Sequence, residues 1–226
     1  MKLKKTLIIL VSVAIVSVCF VGCVEPPKTE FSLKSWEVID DNGAPSLIMS
    51  FNASNDVWIH VTDPDGVETD FRKRIENGIT GAKLCLAGYK EIPQAGTYTL
   101  IVKDKYGDII FTKEISFIGI DVSITKCTPS WKYYKWSDKY TLDSLTISVK
   151  NEGDLPAYID KADVTIDGKV SSLLLSEVVL PNQDKTIAKN THINDIMSGE
   201  HEMTVILKDR SKNTVSTYTT EAVPSK

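Results

Sequence analysis

From Phe31 onward the sequence consists of short runs in which apolar and polar residues alternate, broken by turn residues about every 8 to 12 positions. Successive side chains on a strand point to opposite faces, so runs of this kind make half-buried strands, whereas a helix needs apolar residues three and four apart. Residues 57–61 (Val-Trp-Ile-His-Val) meet the turn Asp63-Pro64-Asp65-Gly66, and 67–71 is expected to return from it. Residues 98–102 meet Asp104-Lys105-Tyr106-Gly107, with 109–115 returning. Asp167-Gly168 suits a two-residue hairpin loop, in which both positions need positive φ. Even the leucine- and valine-rich stretch 172–180 reads as strand, given its β-branched residues and the Pro181 that follows. The fold class is all-β.

An internal repeat sets the domain count. Gly96-Thr-Tyr-Thr-Leu-Ile-Val-Lys-Asp, a turn and Ile109-Ile110-Phe111-Thr112 correspond to Gly199-Glu-His-Glu-Met-Thr-Val-Ile-Leu-Lys-Asp, a turn and Thr214-Val215-Ser216-Thr217. Each is a glycine, an alternating strand ending in Lys-Asp, a tight turn and a returning strand. Such a hairpin closes an immunoglobulin-like sandwich, and each copy ends a span of about 100 residues, the size of one such domain. Two tandem immunoglobulin-like β-sandwiches are therefore expected, over 31–119 and 120–226. Ile118-Gly119-Ile120-Asp121 joins them without a Pro/Ser-rich linker, which predicts stacked domains with little freedom between them.

Residues 1–23, MKLKKTLIILVSVAIVSVCFVGC, have another texture: three lysines, an apolar run, then small residues. That order is a secretory signal, and it places the body on the extracellular side of the cell membrane. Val21-Gly22-Cys23 resembles the lipobox of prokaryotic lipoproteins, which implies lipidation at Cys23, although Phe20 stands where that family usually has Leu. The 18 uncharged residues from Leu7 to Val24 also suffice for an uncleaved signal-anchor helix, so both attachments stay open. Residues 24–30 form a short tether.

In the second half, Leu145-Thr-Ile-Ser-Val-Lys-Asn-Glu-Gly-Asp-Leu-Pro-Ala157 resembles the strand–turn pattern of CARDB domains, immunoglobulin-like modules of prokaryotic surface proteins. Ser198-Gly199-Glu-His-Glu-Met-Thr-Val205 resembles their penultimate strand, and the likeness covers roughly 121–223. Leu145, Ile147 and Val149 are expected on the buried face, and Gly153 to close the turn with a positive φ. What the resemblance implies is extracellular binding or adhesion.

The most unusual stretch of the body is 127–140, where Trp131, Tyr133, Tyr134, Trp136 and Tyr140 crowd between plain strands. On a strand Trp131 and Tyr133 share one face and Tyr134 and Trp136 the other, so one pair must lie at the surface or the domain junction. Such aromatics stack on glycans or protein partners, or else pack a loop onto the sandwich. Cys85 and Cys127, 42 residues apart, either form a disulfide, which export permits, or are two small buried hydrophobes. Asp63, Asp65 and Asp70 could hold Ca²⁺, yet the loop lacks the terminal Glu of a calcium hand and makes a turn unaided. No His/Cys spacing suggests a metal, and no cofactor is expected. There is no nucleophile elbow, phosphate loop or dinucleotide fingerprint, so catalysis has no support in the sequence. The net charge of −4, more acidic once the leader lysines are removed, argues against nucleic acid as a partner. The expectation is a membrane-anchored, non-catalytic module binding an envelope component, glycan or protein; the alternative is an accessory scaffold subunit of an envelope transporter or enzyme.

Overall fold

The computed structural model describes residues 28–69 and 73–225. The expected signal or anchor helix, the lipidation at Cys23, most of the tether and Asp70 lie outside these residues. Every element described is a strand: β1 (Phe31–Asp41), β2 (Ala44–Ala53), β3 (Val57–Thr62), β4 (Lys73–Ile75), β5 (Gly81–Cys85), β6 (Gly96–Lys103) and β7 (Ile109–Phe117), then β8 (Val122–Tyr134), β9 (Lys139–Asn151), β10 (Ala157–Ile166), β11 (Lys169–Val179), β12 (Gln183–Ile196), β13 (His201–Lys208) and β14 (Thr214–Ala222).

The first seven strands form sheets β1-β2-β5 and β4-β3-β6-β7, and the second seven repeat that order as β8-β9-β12 and β11-β10-β13-β14. Three strands facing four is the arrangement of an immunoglobulin-like sandwich. Alternation produces both cores. Leu47, Met49 and Phe51 of β2 face Val57, Ile59 and Val61 of β3 and Tyr98, Leu100 and Val102 of β6. In the second sandwich Leu145, Ile147 and Val149 of β9 meet Val164 and Ile166 of β10 and Met203, Val205 and Leu207 of β13.

The closing hairpins match in detail. Gly96 and Gly199 sit at φ 130° and 128°. Asp104 N–H donates to Asp108 O and Asp209 N–H to Asn213 O, both at 3.0 Å. Each return strand carries one register shift, at Val102/Lys103 and at Leu207/Lys208. Asp167 and Gly168 take the positive φ values of the predicted tight turn.

One expected strand, 67–71, does not form over its described residues. Residues 67–69 make a single bridge, Thr62 to Glu68, and β3 pairs instead with the short β4. The Asp63 carboxylate accepts the N–H groups of Asp65 and Val67 at 3.0 and 2.8 Å, which ties the turn up. Thr69 then donates its hydroxyl to Cys85 O at 2.8 Å, drawing the chain across to the opposite sheet. The Asp63 carboxylate thus caps the turn, and no three metal-ligating side chains converge among the described residues.

The sandwiches meet end to end. Residues 151–157, the turn with the CARDB-like pattern, fold back onto the joining segment. Asp154 accepts the N–H groups of Ile118 and Gly119, each at 3.0 Å. Leu155 belongs to the second sandwich by sequence but lies fully buried in the core of the first. Gly153 does not take the positive φ expected of it. It is glycine because a Cβ there would lie 2.2 Å from Gly119 O. Farther out, Tyr158 donates to Asp40 at 2.7 Å and Arg210 to Tyr89 O at 3.0 Å.

Cys85 lies on β5 and Cys127 on β8, in different sandwiches, and no disulfide joins them. Burial pushes the Cys127 thiol up to about 11, which leaves it protonated and unreactive at neutral pH.

Candidate functional site

Strands β8 and β9 pair over their whole length, from Val122 opposite Asn151 at the junction to Tyr134 opposite Lys139. At about 3.3 Å per residue this hairpin carries the turn 135–138 some 40 Å from the first sandwich. A register shift at Ser130/Trp131 divides the aromatics. Trp131 and Tyr133 lean inward and pack on the second core, Tyr133 lying 5.0 Å from Tyr140 between ring centroids. The Tyr133 hydroxyl donates to Asp138 at 2.8 Å, a bond that braces the turn and raises the phenol's pKa. The Trp131 indole N–H is buried without an acceptor among the described residues, a cost that the packing of its ring must offset.

Tyr134 and Trp136 face the other way. Their rings meet edge to face at 6.4 Å, and Lys132 Nζ lies 5.3 Å over the Tyr134 ring. Trp136 is 85% exposed. Of the four aromatics picked out by the sequence, the structure therefore assigns two to packing and brings two together at the surface.

The neighbouring loops at this end are tied down. Lys139 pairs with Asp195 at 3.1 Å, and Lys169 donates to Asn194 O and Asp195 O at 2.8 and 2.9 Å. His201 bridges Asp167 at 2.7 Å and Met197 O at 2.9 Å. Met197, Val170 and Val223 are exposed on the same end. Sequence reasoning missed these three because they lie in separate segments that only folding brings to one end. The strand directions show them converging, since β8, β10, β12 and β14 all run toward this end.

The junction offers less. Its recess, beside Lys90, Tyr158, Glu177 and Arg210, holds about 10 Å³ of free space, room for one water.

No family model matches the chain, and no curated protein matches it. Solved structures similar to it include the tetra-tandem repeat in the extending region of a large adhesion protein, at 15% identity over 87% of this chain and 50% of that one, TM-score 0.32. The fibronectin(III)-like modules of Clostridium thermocellum CbhA align at 13% identity over 86% of this chain and 93% of that one, TM-score 0.26. Amycolatopsis orientalis exo-chitosanase CsxA aligns at 12% identity, TM-score 0.28, where 83% of this chain spans 26% of the enzyme. At these identities and scores the likeness is one of layered β-strands and carries nothing about activity.

Proposed function

We propose that this chain is a non-catalytic binding module, held at the outer face of a membrane by its N-terminal leader, that presents the Tyr134–Trp136 end of its second sandwich to an envelope glycan or protein. The observation that carries this reading is the 85% exposure of Trp136 on a braced hairpin turn. A tryptophan there contributes nothing to either core, and burying its ring against a partner is the favourable use of that apolar area. Tyr134 set edge to face against it and Lys132 above the Tyr134 ring complete an amphipathic surface suited to a sugar ring or a polypeptide. The lipoprotein and CARDB-like patterns of the sequence support the same reading.

Adsorption of the full chain to isolated envelope material tests it. Trp136→Ala is expected to weaken binding at least about tenfold, as loss of a central aromatic anchor does, while leaving the melting temperature unchanged. Equal binding by both proteins would remove the site.

A further inference from the structure

The opposite end of the molecule carries its own pattern. Segments 28–30, 54–56 and 76–79 are bonded into one surface: Glu30 N–H donates to Ser54 Oγ, and Asn77 N–H to Asp56 Oδ1, each at 2.9 Å. The β6–β7 turn joins them, since Lys103 at the end of β6 pairs with Trp58 near the start of β3. On this pole Ile79, Tyr106 and Ile109 stand 52%, 60% and 60% exposed, and none belongs to either core. Lys105 Nζ lies 4.9 Å over the Tyr106 ring. The charges here are mixed, Arg74 pairing with Asp56 at 2.7 Å, so nothing selects an anionic partner. Isoleucines beside a tyrosine with a polar tip and a lysine with a long apolar stem suit a boundary that is apolar below and wet above.

Chain length says which boundary. The tether of residues 24–30 reaches the first strand from the leader in seven residues, at most about 25 Å of extended chain. A sandwich held that closely keeps this pole within reach of the headgroups whether the attachment is a lipid or a helix. We propose that the N-terminal pole sits on the anchoring bilayer itself, with Ile79, Tyr106 and Ile109 entering the interfacial layer. This second contact rests on the anchoring reading. It sets the tilt of the first sandwich, since three points about the pole define a plane against the membrane.

An environment-sensitive fluorescent amino acid at position 106 or 109 of the full chain, reconstituted into zwitterionic phosphatidylcholine vesicles that contain a spin-labelled lipid, tests it. The expected result is blue-shifted emission at both positions, quenched by the spin label and unchanged by salt, with no quenching of the same probe at position 136. Protein that floats with the vesicles but shows unquenched probes at 106 and 109 overturns the contact and leaves the anchor standing. A blue shift without lipid quenching reports a second protein copy on this face and also overturns it. Protein that does not float with vesicles at all overturns the anchoring reading, and the contact with it.

Discussion

Asn151 is fully buried, yet its side-chain amide is saturated. Its Nδ2 donates to Leu155 O at 2.8 Å and Val179 O at 3.1 Å, and its Oδ1 accepts from Asp121 and Gly153 N–H, both at 3.1 Å. One side chain thus ties the end of β9 to the joining segment, the turn and the end of β11. Asn151→Asp keeps the shape but turns two donors into acceptors facing carbonyl oxygens without water. Chemical denaturation should show a loss of about 3 kcal/mol or more, and a loss below about 1 kcal/mol would deny the amide its role. The neighbouring Gly153 marks what the sequence could not disclose. A glycine three residues before a proline reads as turn chemistry, whereas its need for no Cβ comes from Gly119, which only folding brings near.

At the scale of elements, most strands were legible because alternation and turn residues are local signals. Residues 67–69 read wrongly as strand, since Asp63 and Thr69 spend their oxygens on the turn and on the opposite sheet, and neither bond shows in apolar periodicity. The aromatic stretch was half legible. Alternation separated Trp131 and Tyr133 from Tyr134 and Trp136, but the face each pair would take depended on the shift at Ser130/Trp131 and on where β9 began. The two tryptophans should therefore respond oppositely. Trp131→Ala opens a gap against the second core and should cost about 3 kcal/mol, while Trp136→Ala should stay within about 0.5 kcal/mol. Thermal melts of the two variants check this, and equal effects would mean that the hairpin end packs differently from the structure.

For the whole molecule, the sandwiches behave as one body if the junction holds. Leu155 sits in the neighbouring core, and Asp154 grips the joining segment from the other side. The Tyr158 bond to Asp40 adds a titratable clasp: burial first, then that bond, raises the phenol above its ordinary value of 10.0. A raised value means that the protonated phenol's contribution is complete below pH 10 and declines as pH climbs beyond it. Wild-type unfolding free energy should fall between about pH 10 and pH 11.5 more steeply than that of Tyr158→Phe, which keeps Tyr98, itself raised to about 12 by burial. Parallel pH profiles would place the alkaline loss elsewhere. β1 begins at the N-terminal pole and β9 at the aromatic end, with strands of 11 and 13 residues, so the junction fixes a spacing of about 75 Å between the poles. Pulsed electron–electron distance measurement between spin labels at positions 30 and 136 tests that rigid presentation most directly. One narrow distribution near ~75 Å is the expected result; a broad or two-peaked distribution, or a much shorter distance, would contradict it.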